Sequence, residues 1–406
     1  MRPPPEPGLE EHLAGHARAF RERFGGAGPA RLCFAPGRVN LMGAHLDYNG
    51  GPVMPTAIDR GTWIAIRPRS AERILVASTL EPGEREWSLA ALPEQASGHW
   101  SDYPLGVIRA VREQLGGGAL SGLEILFGGN LPIGAGLSSS ASICVGTALA
   151  LTRCLGLPLQ PRDWVALALE AERGFVGVQC GIMDPHAIGL ARAGELLWLD
   201  CKDGSSSYMP LDAARVAIAV ADTRVRRQLA TSAFNERVAE CRAAFEALRA
   251  EVPGATCLRD IPWSTFEARR TDLPARIARR AEHVLREVER TFAARAALER
   301  KDLAAFGAQM SAAHESLRSL FEVSVPELDA LVASATAIPG VLGARLTGAG
   351  FGGCAVILLE RAAAGELSAR VPREFEARFG HRPKLELFGG DAGPRELLAE
   401  GLDLDH

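Results

Sequence analysis

Three glycine-rich segments punctuate this chain, at 36–54, 132–141 and 348–353. The first reads Pro-Gly-Arg-Val-Asn-Leu-Met-Gly-Ala-His-Leu-Asp-Tyr-Asn-Gly-Gly-Pro-Val-Met and sets Arg38, His45, Asp47 and Asn49 among Gly37, Gly43, Gly50 and Gly51. Glycine takes turns closed to other residues and lets a ligand approach the main chain, so charged side chains among glycines suit a pocket. A polar surface loop would carry the same mixture, but three such segments in one chain favour the pocket.

A chain of 406 residues is too long for one ordinary core and predicts two domains or one large bilobal unit. Hydrophobic residues make up 47% and charged residues 23%, the balance of a soluble protein with ample core. A net charge of −4 gives no reason to expect nucleic acid or a membrane as partner. The eight cysteines show no C-x-x-C spacing, so reduced thiols are expected rather than zinc or disulfides. The first residues lack an apolar run of the signal-peptide kind, and a cytoplasmic monomer is expected.

Periodicity predicts a helix ending near Gly25, strands at 62–67, 74–78 and 123–127, and a helix from the serines at 138–140 through Thr152, stopped by Gly156 and Pro158. A helix over 161–174, strands at 196–199 and 216–220, helices near 233–250, 276–299, 302–320 and 326–336, and a strand at 354–359 follow. Mixed strands and helices in both halves give an α+β or α/β protein. The polar stretch 204–207 marks the expected boundary, with domains at 1–205 and 206–406.

The second glycine-rich segment, Pro132-Ile-Gly-Ala-Gly-Leu-Ser-Ser-Ser-Ala141, follows a strand and opens a helix. Gly134 and Gly136 admit a ligand to the backbone, and the first amides of the helix present the positive end of its dipole, which suits phosphate. The serines can cap the helix or offer hydroxyls to phosphate or metal. The only lysines are Lys202, Lys301 and Lys384, none near a glycine loop. P-loop NTPases and protein kinases of the lysine-dependent kind are therefore poor candidates. The dinucleotide fingerprint fails as well.

Two carboxylates complete the chemistry. Glu172 falls near the end of the 161–174 helix and can supply a hard oxygen to magnesium. Asp184 sits in a short turn among Ile182, Met183 and Pro185, where it can cap the next segment or serve an attacking hydroxyl, as base or as orienting group. A cation such as Arg38 beside it would offset charge on a transferring phosphoryl group.

With these residues in place, the chain resembles the GHMP small-molecule kinases, and its first segment resembles the galactokinase signature. Supporting stretches are Trp100-Ser-Asp-Tyr103, Gly177 to Asp184, His314 to Arg318, Glu322 to Asp329 and Gly343 to Cys354, in the family's order across nearly the whole chain. The resemblance implies an α+β, two-domain GHMP kinase fold: a ribosomal-S5-like α/β first domain, an α+β second, and the active site in the cleft. It also implies ATP-dependent transfer to the C1 hydroxyl of a galactose-type sugar. Position by position, it implies Asp184 and Arg38 as catalytic residues. The phosphate loop would run through Gly134, Ala135, Gly136, Leu137, Ser138, Ser139 and Ser140, with Mg2+ on Ser140 and Glu172. Ala44, His45, Leu46, Asp47, Gly181 and Phe234 would fall at the sugar.

The chain departs from the usual Gly-Glu-His-Thr-Asp-Tyr of galactokinases, with Ala44 at the glutamate and Leu46 at the threonine. Phe234 replaces a tyrosine and Pro185 a glutamine. A sugar with a C6 carboxylate would meet a glutamate at position 44 as a like charge, at a cost of about 4 kcal/mol for 4 Å separation and an effective dielectric near 20. Galactose stands first, with galacturonate or arabinose as alternatives. A non-catalytic galactose and ATP sensor is a distant alternative, disfavoured by the intact loop, Arg38 and Asp184.

Overall fold

The structure is a computed structural model that describes residues 9–25, 28–131, 136–225 and 230–398. Its first half is built on a six-stranded sheet. The order is Arg395–Leu398, Arg31–Asn40, Pro55–Arg69, Gly122–Gly129, Arg73–Ser78 and Glu84–Ser88, with Arg73–Ser78 parallel to Gly122–Gly129 and the other pairs antiparallel. Side chains alternate between the two faces of a strand. Here Cys33, Ile64, Ile66 and Ile125 enter one apolar cluster, while Leu32, Phe34, Trp63, Ala65 and Leu126 enter another beneath the helix Leu9–Phe24. Both faces are covered, which is why these strands read as unbroken apolar runs.

The helices Asp102–Leu115, Ser139–Leu155 and Pro161–Glu170 cover the first of those faces. Ser139–Leu155 packs closest to the sheet because Gly146 has no side chain; a Cβ there would lie 2.5 Å from Ile64 Cδ1 and 2.9 Å from Ala35 Cβ. It ends at Gly156, whose left-handed φ of 63° suits glycine. The 161–174 helix becomes a π-helical turn, Ala171–Val176, and that turn carries Glu172.

The second half centres on a four-stranded sheet in the order Val341–Thr347, Cys354–Glu360, Val216–Asp222 and Lys384–Phe388. Helices Ala230–Leu248, Ala275–Glu299, Leu303–Ser316, Pro326–Thr336 and Ala364–Phe379 belong to it. The predicted 302–320 helix also closes in a π-helical turn, Leu317–Phe321.

The stretch 204–207 forms no linker. Glu195–Asp200 and Ser206–Pro210 make a hairpin, with Leu199 opposite Ser206, in a three-stranded sheet with Pro52–Val53. The last strand, Arg395–Leu398, returns to the first sheet. One apolar cluster joins Val39, Leu41, Met42 and Met54 to Phe306, Met310, Val356 and Leu358, so the halves share a core. All eight cysteines are free thiols, and no described helix is long and apolar enough to cross a membrane.

Candidate active site

The strand Arg31–Asn40 brings Arg38 to the middle of the molecule, where only 5% of its surface remains exposed. Gly37 makes this possible: the strand passes so near the next motif that a Cβ would sit 2.8 Å from the Leu137 carbonyl, and Arg38 N donates to that carbonyl (3.1 Å). The Arg38 guanidinium grips Asp184 with two parallel bonds, Nε to Oδ1 at 2.7 Å and Nη2 to Oδ2 at 2.8 Å. Its remaining arm donates to the Gly136 carbonyl at 2.7 Å. This fork fixes the carboxylate in orientation as well as in place. Asp184 lies in the first turn of a short helix, Met183–Gly189, rather than in a turn between segments.

Ser138 adopts a left-handed backbone (φ 62°) just before the helix Ser139–Leu155 and makes no side-chain cap. Its hydroxyl donates instead to Asp184 Oδ2. That leaves the first-turn amides of the helix, with Ser139 and Ser140, for an anion. Gly134 and Ala135 lie outside the described residues, and Leu137 is buried in the core shared by the two halves. Gly136 meets the third glycine segment, since a Cβ on it would lie 3.6 Å from Gly348 Cα. The three glycine-rich segments thus converge on one point.

Glu172 is 3% exposed and interacts with the Ser140 hydroxyl. Burial pushes its carboxyl up to about 7, against the pull of that hydroxyl, and the Asp184 charge adds to the rise. Beside these serines runs an apolar slot of about 190 Å³ whose walls include Trp100, Tyr103, Phe127 and Ile143 together with Ser139 and Ser140. The chain gives little sign of this slot: Trp100 and Tyr103 stand close together in sequence, but nothing there brings Phe127 to face them.

The sugar-signature residues separate into two groups. Asp47 and Gly181 share the wall of a cleft of about 590 Å³, with Tyr48, Arg173 and Lys202 also lining it. Gly181 must be glycine for this contact, because a Cβ would fall 2.0 Å from Asp47 Oδ2. Burial, and next the Asp184 charge, raise the Asp47 carboxyl to about 6. His45 Nδ1 pairs with the Tyr48 hydroxyl at 2.8 Å, and its Nε2 is buried. Burial, with the Arg345 guanidinium second, lowers its pKa to about 3. Phe234 stands edge-on to Tyr48 (5.6 Å between centroids) and 5.9 Å from His45.

The other group departs from expectation. Leu46 has no exposed surface and Ala44 only 4%, and both side chains join the apolar cluster of the second half. The resemblance places them at the sugar; here the turn at Gly43 to Asn49 points both side chains into the apolar cluster.

An arginine–carboxylate pair beside a serine-rich helix N-terminus and a polar cleft is the apparatus of a small-molecule kinase. The fold agrees: Methanococcus jannaschii mevalonate kinase superposes with a TM-score of 0.66 at 20% identity, over 90% of this chain and 100% of that one. The GHMP kinases N terminal domain matches residues 102–192, the GHMP kinases C terminal matches 294–377, and the galactokinase galactose-binding signature matches 18–68. The chain belongs to the galactokinase family. It is 42% identical to a galactokinase of Roseiflexus sp. (strain RS-1) over 84% of this chain and 87% of the relative. It is 39% identical to one of Clostridium beijerinckii over 90% and 94%. The crystal structure of Lactococcus lactis galactokinase complexed with galactose superposes with a TM-score of 0.90 at 32% identity, over 95% of this chain and all of that one.

Proposed function

We propose that this protein transfers the γ-phosphoryl group of ATP to the C1 hydroxyl of D-galactose, giving galactose 1-phosphate and ADP. The observation that carries this reading is the Arg38–Asp184 fork, completed by Ser138, at the N-terminus of the helix Ser139–Leu155. Asp184 receives or orients the proton of the C1 hydroxyl as its oxygen attacks phosphorus, and the bond to the ADP oxygen breaks on the opposite side. Arg38 offsets the charge on the transferring group. The phosphates rest on the amides of the helix start and the base fills the apolar slot beside Trp100 and Tyr103.

The oxygens of Ser140 and Glu172 are hard donors of the kind magnesium takes. Among the described residues no group of three or more His, Cys, Asp or Glu could hold a metal alone. Ser140 and Glu172 would hold a Mg2+ ion that shares its remaining ligands with the nucleotide phosphates. Bound there, the ion would neutralise phosphate charge.

Asp47, the backbone at Gly181, and His45 would hold the sugar hydroxyls. A neutral sugar is favoured over an acidic one by the charges around the cleft. Of its two lining cations, Arg173 is bound to the Cys180 carbonyl (3.0 and 2.8 Å) and Lys202 to Asp260 (2.5 Å). Arg38 is committed to Asp184, and Asp47 would face a sugar carboxylate as a like charge. In this reading residues 1–205 supply the nucleotide site and most of the sugar site, residues 206–406 close it, and the enzyme acts as a cytoplasmic monomer.

A coupled assay of ADP release over galactose, galacturonate and arabinose with Mg-ATP tests this. Galactose is expected to give the highest kcat/KM; galacturonate ahead of it would overturn the choice of sugar. Asp184→Asn is expected to lower kcat about 10²- to 10⁴-fold. Undiminished turnover in that variant would remove Asp184 from the mechanism.

A further inference from the structure

The turn that carries His45 and Asp47 is held from the far half of the chain. Glu287, on the helix Ala275–Glu299, has no exposed surface. Its Oε1 accepts hydrogen bonds from two consecutive amides, Gly43 N at 3.2 Å and Ala44 N at 3.1 Å. Its Oε2 accepts from Arg290 Nε at 2.8 Å, so the carboxylate keeps a charge partner on its own helix. One turn earlier on the same face stands His283, also without exposed surface. Its Nε2 lies 3.3 Å from the Ala44 carbonyl and its Nδ1 2.8 Å from Ser316 Oγ. Facing a carbonyl, Nε2 carries the proton and donates; Nδ1 then accepts from the Ser316 hydroxyl. Burial, with the Arg290 charge next, keeps this imidazole far below its ordinary pKa, so it holds that neutral form.

Two residues of one helix therefore bind both polar atoms of Ala44 and the amide of Gly43. The backbone they hold is unusual. Gly43 has φ +85° and His45, a side-chain-bearing residue, has φ +59°. Such left-handed conformations persist where surrounding contacts over-determine them. Glu287 has no surface on the cleft; it acts through the turn it binds, and its charge also supports the buried Arg345 guanidinium.

We infer that Glu287, assisted by His283, is a positioning residue that sets the sugar-binding turn and thereby sugar affinity, leaving the nucleotide site untouched. This rests on the reading of the cleft beside Asp47 as the sugar site. The reason for selectivity is geometric: Gly43 to Asp47 leads to the wall shared with Gly181, whereas the phosphate end is fixed separately by Arg38, Gly136 and Ser138.

The test compares Glu287→Ala, Glu287→Gln and His283→Phe with the wild-type enzyme. Glu287→Ala is expected to raise KM for galactose at least 10-fold with KM for Mg-ATP within twofold. Glu287→Gln, which keeps an oxygen acceptor for the two amides, should recover most of that loss. His283→Phe keeps the ring against Phe321 (centroids now 4.4 Å apart) and removes the donor to Ala44 together with the acceptor of the Ser316 hydroxyl, while leaving Glu287 in place, so it tests the clamp even where Glu287→Ala does not fold. A threefold or larger rise in galactose KM alone supports the inference. Unchanged galactose KM, or equal rises for both substrates, overturns it. Amide hydrogen exchange reads the turn without any substrate: residues 41–50 should exchange at least 10-fold faster in the variant that folds, with the helix Ser139–Leu155 unchanged. Faster exchange in a protein that fails to phosphorylate galactose would sink the sugar assignment and leave the clamp standing; uniform exchange would sink the clamp itself.

Discussion

Burial holds the Glu172 carboxyl near 7 although its ordinary value is 4.5, and the sign of this shift makes a test of its role. The folded protein keeps the proton to higher pH than the unfolded chain does. Stability from the protonated form is therefore present below about 4.5 and is lost as pH rises through 7. A shift of this size corresponds to roughly 3 kcal/mol. Without nucleotide, Glu172→Gln is expected to be more stable than wild type at pH 8 by up to that amount, and equal to it at pH 4.5, by urea unfolding. Magnesium held by Glu172 as proposed would reverse the balance, because a metal takes the ionised form. Activity of the wild-type enzyme should fall on the acid side of 7, and raising Mg2+ should move that limb to lower pH. An acid limb indifferent to Mg2+ would take Glu172 off the metal. The pairing of Arg38 with Asp184 was legible in the chain, and the structure brings the two together. What Ser138 does was not: a serine before a helix reads as its cap, and only the fold shows its hydroxyl turned to Asp184.

At the scale of elements, the distance between Arg38 and the serines depends on how closely one helix lies on one sheet. Gly146 faces Ile64 and Ala35, the latter three residues before Arg38 on the same strand. Gly146→Val would force the helix Ser139–Leu155 away from the sheet, at about 1–3 kcal/mol of overpacking. A lower urea midpoint and a raised KM for ATP are expected together. Loss of stability with an unaltered ATP KM would show that the helix start is fixed by its own loop. Long periodic helices such as Ala275–Glu299 and apolar strands such as Cys354–Glu360 were readable because their patterns match one period throughout. The strand Arg31–Asn40 was not, because Pro36, Gly37, Arg38 and Asn40 interrupt its apolar run where it enters the site. Pro372 likewise hides the helix Ala364–Phe379. The two π-helical turns have no sequence signature, yet they set Glu172 by the serines and Phe321 against His45 (4.7 Å). Local widening of a helix at a functional position is a known use of this geometry.

For the whole molecule, the two halves share one apolar cluster rather than standing as two beads on a linker. A boundary at 205 looked reasonable because glycine and serine cluster there, but those residues close a hairpin, and the contacts that unite the halves join positions hundreds of residues apart. Arg345 is the clearest of them. It is 1% exposed, and from the strand Val341–Thr347 it donates to the Leu41 carbonyl at 2.7 Å and the Asn40 carbonyl at 2.5 Å, at the end of the strand that bears Arg38. Burial lowers its pKa to about 10 while the Glu287 charge opposes the fall, so it remains a cation at neutral pH. Arg345→Met fills much of the same volume and leaves Glu287 its Arg290 partner, but it takes the guanidinium donors from the Asn40, Leu41 and Leu346 carbonyls, at about 1–3 kcal/mol for each buried carbonyl left unsatisfied. Wild type is expected to unfold in a single urea transition despite its length. The variant should lose several kcal/mol and, with the seam weakened, show separate transitions for tryptophan fluorescence and circular dichroism. Its kcat should fall as well, because the strand end that aims Arg38 is no longer tied to the second sheet. If the variant kept one transition at the wild-type midpoint, the shared apolar cluster alone would be enough to join the halves, and the buried guanidinium would be needed for neither stability nor aim.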